Sequence, residues 1–390
     1  MLQLLRGVKV LDFGAYFAGP YGSRLLADLG ADVIKLEAIE GDSLRATVRV
    51  FHAAQRGKRA IAVNLKEPDG REIGQRLARW ADVIQHNLRP GAAERLGLDY
   101  ETVRALNPQV IYAYSAGWGS DGPDARRQGF APLYSGYVGL HHEAAGAGNP
   151  PLQPIGNEDN GNGLLGAAGM LMALFRRRRT GQGGYFDHFQ LGATMMMAQH
   201  MMRGADGRVI GSTGLDADQA GVHPLIRLYR TADGWLCISA AQDRTFAALC
   251  GALGHPQWST DARFSGDAVR RRNAPALIAL VAGELAALPA AQAFERLDRA
   301  GVPCEIPAGK DAMQRFFEDP EQSRMGRVES YAHPTYGPVR DIAVMLRVSG
   351  AGAVPGSPSP LLGQHTAGIM RELGYADAEI HALGERRVIR

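Results

Sequence analysis

The sequence predicts an α/β fold: a large domain built on a parallel, doubly wound sheet, followed by a smaller α+β domain. Three observations carry this. Short β-branched strands alternate with helix-spaced segments from the N-terminus onward, and a Gly-, Asp- and Ser-rich stretch, "GADGRVIGSTGLDADQAGVHP", then breaks that alternation. Beyond it a hairpin signature opens a different pattern.

Element by element, "GVKVLDFG" (7–14) reads as the first strand, and "AGPYGSRLLADLG" as a helix with Leu25, Leu26 and Leu29 on one side and Gly30 at its C-cap. "ADVIKLE" completes a βαβ opening. "RAIAVNL", "ADVIQHN" and "QVIYAYSAGWG" supply further strands, separated by the helical patterns "PDGREIGQRLARW" and "GLDYETVRALN". Two helices, 163–179 and roughly 187–202, close this half. "LIRLYRTADGWLCISAA" reads as a hairpin turning at Asp233-Gly234, with helices over 244–253, 274–288 and 290–300. From about Asp319, "HPTYGPVRD" and "GAGAVPGSPSPLLG" predict extended chain draped over another surface before a last helix near 365–373. The predicted divisions are 1–205, a linker over 206–224, a small domain over 225–320 and a C-terminal segment over 321–390.

A chain of 390 residues, 45% hydrophobic, can bury a substantial core. Its 43 basic and 40 acidic residues leave a formal charge of +3, too balanced to make nucleic acid or a membrane surface the principal partner. The three cysteines, Cys237, Cys250 and Cys304, lie far apart with no zinc-type spacing, which predicts a reducing compartment and no metal site. "MLQLLRGVKVLDFGA" lacks the pattern of a secretory signal, and no window reaches the ~20 apolar residues of a bilayer span. A cytoplasmic protein is expected. The βαβ opening raises dinucleotide binding, but "GAYFAGP" has Pro20 in place of a GxGxxG loop, so NAD is not expected.

The blocks "GVKVLDFGAYFAGPYGSRLLADLGADVIKLE", "RGKRAIAVNL", "ADVIQHNLRPGAAERLGLDYETVRALNPQVIYAYSAGWGSDGP", "ALFRRRRTGQGGYFD", "RLYRTADGWLCISA" and "SPLLGQHTAGIMRELGYADAEIHAL" together resemble, in order, the class III CoA-transferase (CaiB/BaiF) family, over about 5–385. The resemblance implies a Rossmann-like large domain, a small domain and a C-terminal segment returning to the first. It also implies an interlocked homodimer in which each ring-shaped chain is threaded by its partner. The implied activity moves coenzyme A between an acyl-CoA and a carboxylic acid, with CoA as substrate and no metal or NAD.

Register with Leu174 and Gly163 places the family's nucleophilic aspartate at Asp159, in "NEDNGNGLLGAAGMLMALFRRRR". Read alone, Asp159 is an ordinary N-cap; read with the family, it is an anion held charged by the helix N-terminus and able to relay CoA covalently. Glu158 is taken as solvent-facing or a minor electrostatic neighbour. The small residues from Gly163 to Gly169 suit close helix packing, and Arg176–Arg179 suit the negative end of the helix dipole. Ala18, Asn87, Leu88 and Arg95 match positions that bind CoA in the family, Arg95 being the natural phosphate partner.

Departures from the family pattern are equally specific. Ala15, Phe17, Ala38 and Ala116 stand where oxalate-type members carry His, Gln, Arg and Lys, which leaves Arg45, Arg56, Lys58 and Arg89 as further cations for the phosphates. "GFA" (129–131) replaces the "GHD" of the racemising branch, and phenylalanine cannot move a proton. His141 and His142 are read as surface loop residues within reach of substrate. Gly211–Gly221 is a candidate lid with Gln219 on it, and Trp118, Phe130, Tyr134 and Tyr137 would suit a substrate with apolar or aromatic parts. The alternatives are another acyl-CoA conversion on the same fold, a racemase or lyase, and a catalytically silent CoA-binding subunit of a heteromer.

Overall fold

The computed structural model describes residues 1–153, 158–198, 201–211 and 214–390. They divide into two units. One comprises Met1–Val138, Ile155–Gln199 and Phe316–Arg390, the other Gly139–Pro154 and His200–Arg315.

The first unit is organised by a six-stranded sheet: β1 (Lys9–Asp12), β2 (Asp32–Glu37), β3 (Arg59–Ala62), β4 (Val83–His86), β5 (Ile111–Ala116) and β6 (Gly184–Phe189). The order is β3-β2-β1-β4-β5-β6, and every neighbouring pair is parallel. Successive apolar residues enter opposite cores, as the pleat requires. Val10, Val33, Val83 and Ile111 join Leu26, Ala167 and Met170 on one face; Leu11, Ile34, Ile84 and Tyr112 join Ile73, Leu77 and Ile369 on the other. The strand order reverses between β1 and β4, and in open sheets of this kind ligands bind at that crevice, beyond the strands' C-terminal ends.

The helix Pro20–Asp28 packs against the long helix Glu158–Thr180 across glycines. A Cβ on Gly163 would stand 2.6 Å from the Tyr21 ring, and one on Gly22 would stand 3.0 Å from the Gly163 carbonyl. The small-residue pattern is thus close packing: of two backbones at Gly163, and against the His188 and Phe186 rings at Gly166 and Gly169. At the helix's other end Arg177 reaches Asp82 at 2.8 Å.

Two sequence expectations fail here. Residues 187–189 do not begin the expected helix; with 184–186 they form β6, paired with β5 from Ile111↔Gly184 to Ala116↔Phe189, and the helix runs only over Gln190–Met197. The apolar run toward Met197 has helical spacing, but the edge of β5 captures "GYFDHF", whose aromatic residues suit a pleated surface. Residues 199 and 200 of the predicted helix lie outside the described residues. The segment around "HPTYGPVRD" is likewise not merely extended: Val328–His333 and Gly337–Ile342 form an antiparallel hairpin that turns through residues 334–336 and re-enters the strand at Gly337, φ +68°. A further helix, Asp377–Glu385, follows Thr366–Glu372.

The second unit carries a four-stranded antiparallel sheet, ordered Cys304–Glu305, Trp235–Ser239, Ile226–Arg230, Gly221–His223. The predicted hairpin at Asp233-Gly234 is present, with Arg230 opposite Trp235. Leu236, Ile238, Phe246, Phe264 and Val281 form its core. Among the described residues no single helix is long and apolar enough to cross a membrane.

Candidate active site

The reversal point between β1 and β4 holds the site. The chain leaves β1 through Phe13-Gly14-Ala15 and leaves β4 through Asn87-Leu88. The Asn87 amide ties the two loops, accepting from the Ala15 N–H and donating to the Ala15 carbonyl, each at 2.7 Å. Tyr16 follows with φ +60°, a left-handed conformation uncommon for a non-glycine residue.

Beneath these loops lies a buried ionic cradle. Lys58 donates to Asp12 at 2.7 Å, to the Pro20 carbonyl and to Gln55; Lys35 donates to Asp42 at 3.0 Å and to the Gly14 carbonyl. Asp12 also accepts from Ser23 and from the Gly14 N–H. Burial pushes the Asp12 carboxyl up, but Lys58 and Lys35 outweigh it and hold the group below its ordinary range; burial pulls Lys58 down to about 8. The cations therefore serve the loop backbone on which the site is built.

A cavity of about 300 Å³ opens above, lined by Ala18, Asn87, Leu88, Arg89, Tyr134 and Asp159 among others. Asp159 is the second residue of the long helix; the residue before Glu158, Asn157, lies outside the described residues. Gln190, the first residue after β6, donates to Asp159 Oδ1 at 2.8 Å. Burial first, then the charge of Glu158, raises the Asp159 carboxyl to about 6, with the Gln190 bond opposing them. The charge-holding effect expected of the helix start is opposed by burial, the largest influence on this group. Glu158 is corrected. It is buried, accepting from Ser135 Oγ, because the first helical turn packs against the helix Ala131–Tyr137.

Behind Asp159, Asn162 donates to Ser115 Oγ at 2.8 Å and meets His188 Nδ1 at 3.0 Å. Burial lowers His188 to about 4, so its imidazole is neutral, with Nδ1 the donor and Nε2 buried without a partner among the described residues. Tyr134 packs on Trp118, ring centroids 4.7 Å apart, while Arg127 lies over Trp118 and Trp118 Nε1 donates to the Gln128 carbonyl. Phe130 lines the cavity and meets Tyr16 edge-on; Tyr137 is exposed.

Of the family-implied positions, Asp159, Ala18, Asn87 and Leu88 meet in this cavity. Arg95 does not line it; it is exposed, its guanidinium beside Gly91. Three of the four further cations are committed elsewhere: Arg45 to Glu37 and Arg56 to Asp341, both at 2.5 Å, and Lys58 to Asp12. Arg89 is exposed at the cavity and has no side-chain partner among the described residues. Ala116 lines the same cavity, whereas Ala38 lines a separate one of about 350 Å³ with Lys66.

His141 and His142 sit on the helix Leu140–Ala145 of the second unit rather than on a loop. Ser212 and Thr213 of the candidate lid lie outside the described residues; in its remainder Gln219, φ +57°, donates to the Ala145 carbonyl and Asp216 pairs with Arg227 at 3.0 Å. Among the described residues no group of three or more His, Cys, Asp or Glu is placed to hold a metal ion.

Sequence reasoning missed Gln190 and the buried state of Glu158. Gln190 had no signal of its own inside a predicted helix; recognising β6 would have placed it at a strand's C-terminal end, where site residues gather.

A parallel sheet with a carboxylate-bearing cavity at its reversal point matches one family over most of the chain. The chain belongs to CoA-transferase family III, whose model matches residues 5–366. It is 32% identical to an acyl-CoA transferase of Fusarium pseudograminearum, over 96% of this chain and 86% of that one. It is 30% identical to human succinyl-CoA:glutarate CoA-transferase, over 98% and 89%. Its fold matches the crystal structure of a CaiB/BaiF family protein from Brucella suis with a TM-score of 0.79 at 30% identity, covering 96% of this chain and 100% of that one.

Proposed function

We propose that this protein transfers coenzyme A between an acyl-CoA and a carboxylic acid through covalent intermediates on Asp159. One observation carries the reading: Asp159 lines the cavity at the sheet's reversal point together with Ala18, Asn87 and Leu88. The Asp159 carboxylate attacks the thioester carbonyl, a C–O bond forms, the C–S bond breaks and CoA thiolate leaves, giving a mixed anhydride. The thiolate then attacks the aspartyl carbonyl, forming a C–S bond and releasing the donor acid. The acceptor carboxylate runs the two steps in reverse, so no net proton, electron or water is consumed.

Asp159 suits this role because a half-buried carboxylate with a raised pKa is a better nucleophile than a solvated one, yet remains ionised at neutral pH. The Gln190 bond fixes Oδ1 and orients the carboxylate. Arg89, an exposed cation lining the cavity, is available for a CoA phosphate. Substrates with apolar or aromatic parts fit the wall of Phe130 and Tyr134, with Trp118 packed behind Tyr134. The proposed assembly is an interlocked homodimer in a cytoplasmic setting, its large domain completed by the segment 321–390 and the linker over 206–224 carrying the lid.

The test is a covalent trap. Incubation with acyl-CoA, then hydroxylamine or borohydride, should modify the peptide holding Asp159. Label only elsewhere removes Asp159 from the mechanism. For the assembly, tagged and untagged protein mixed under native conditions should exchange subunits no faster than the fold opens; mixed dimers within minutes refute the threading.

A further inference from the structure

Tyr134 carries a feature that the nucleophile reading leaves unused. Its ring is buried, 3% exposed, against Trp118. Its side chain lines the cavity that Asp159 lines. The hydroxyl has no hydrogen-bond partner among the described residues, although buried tyrosine hydroxyls usually find one. Backbone has been cleared around it: a Cβ on Gly129 would stand 1.8 Å from Tyr134 Oη, and one on Gly117 would stand 2.6 Å away. Two glycines thus leave a slot that fits the phenol oxygen.

Charge completes the description. Burial, then the nearby Asp159 carboxylate, pushes the phenol up to about 12, so it stays a neutral O–H donor throughout the working range. It shares the cavity with the carboxylate without bonding it, and Asp159 Oδ1 takes its bond from Gln190 instead.

We propose that Tyr134 is a catalytic residue whose hydroxyl donates a hydrogen bond to the carbonyl oxygen of the acyl group under attack by Asp159, and to the oxyanion that develops there. The proposal rests on Asp159 being the nucleophile. No proton is transferred: as the C–O bond forms, negative charge gathers on the carbonyl oxygen, the phenol bond strengthens, and it relaxes when the C–S bond breaks. A donor held in advance by Trp118 and the glycine slot costs no reorganisation at the moment of reaction. This also gives Gly117 and Gly129 a function, since a side chain at either would displace the hydroxyl.

The experiment compares wild type with Tyr134→Phe, following acyl-CoA consumption and the Asp159 adduct by mass. Expected is a ~100-fold fall in kcat, the loss typical of one oxyanion donor, with the KM for acyl-CoA within ~3-fold of wild type and the adduct forming slowly on Asp159. Wild-type kcat in Tyr134→Phe, with the adduct on Asp159 intact, overturns the hydroxyl's role and leaves the nucleophile standing. A wild-type protein that transfers CoA with no adduct on Asp159 overturns both. Fluorotyrosines placed at 134 separate chemistry from packing, because they acidify the phenol with little change in size. A rate that rises with phenol acidity at a pH where the phenol is protonated supports the donor role; a flat response overturns it, including where Tyr134→Phe does not fold.

Discussion

The cradle under the β1 loop and the pocket around Asp159 are neighbours built on opposite principles. In the cradle, Lys35, Lys58, Asp12 and Asp42 are buried and each is ion-paired, and several of their remaining contacts hold backbone of residues 14–20: the Gly14 N–H and carbonyl and the Pro20 carbonyl. In and behind the pocket, Asp159 takes one hydrogen bond, from Gln190, while Gln190 Oε1 and His188 Nε2 are buried with no partner among the described residues, and the Tyr134 hydroxyl on the cavity wall has no protein partner among them either. Buried charge that is fully paired fixes shape; buried polarity left short of partners stores the capacity to bind a reacting group. The same chemistry is scaffold in one place and machinery in the other.

The comparison breaks most sharply at Asp159. Asp159→Asn should lower transfer by about 10⁴-fold or more while leaving the fold and oligomer intact, since the amide can still accept from Gln190. Its stability should move the other way. A folded pKa of about 6, above the ordinary 3.8, means the native state holds the proton more tightly. Ionising Asp159 therefore costs stability, a cost absent below pH 3.8 and complete above about pH 6. Removing it should stabilise the fold at pH 7.5 by up to about 3 kcal/mol, with the gain vanishing toward pH 4. Denaturant midpoints at both pH values check this; an Asn variant less stable at pH 7.5 would place Asp159 with the scaffold.

Lys58→Met should do the reverse, losing about 3–5 kcal/mol of stability by stranding Asp12 in the core. The double substitution Lys58→Met with Asp12→Leu should recover much of that loss. If Lys58→Met keeps its denaturation midpoint, the cradle is not what fixes the loop.

Smaller effects sharpen the pocket's side. The value of kcat/KM should rise with pH through about 6 as Asp159 ionises. Gln190→Leu removes the bond that favours the ionised form, so this limb should shift to higher pH, with about a fivefold loss near neutrality from one hydrogen bond. An unmoved limb would make Gln190 a packing residue. Arg89→Ala should raise the KM for acyl-CoA about fivefold with kcat unchanged, as the loss of one exposed charge contact predicts.

Much of the architecture was legible in the sequence because the strands β1 to β5 are short apolar runs bounded by turn residues, and the first helices carry clear spacing. β6 was not, because its pairing is decided by the edge of β5, a partner distant in the chain, rather than by its own period. Gln190 was lost with it. Glu158 was misread for a related reason: side-chain direction at a helix start depends on what packs there, and Ser135 could not be foreseen. Tyr134 was noticed as an aromatic wall, yet its unpartnered hydroxyl and glycine slot exist only in three dimensions.

The outer strand β3 is covered by chain that arrives late. His365 N–H bonds the Ala60 carbonyl, Arg390 N–H bonds the Ala62 carbonyl, and Val63 bridges to Ile389. A polypeptide emerging N-terminus first therefore has strands β1 to β5 long before that edge can be closed, and for the whole interval an open row of donors and acceptors faces whatever else is nearby. Biosynthesis, rather than the finished protein's working life, is when this chain is most open to pairing with the wrong strand, and a pause in translation between residues 62 and 365 would lengthen that exposure.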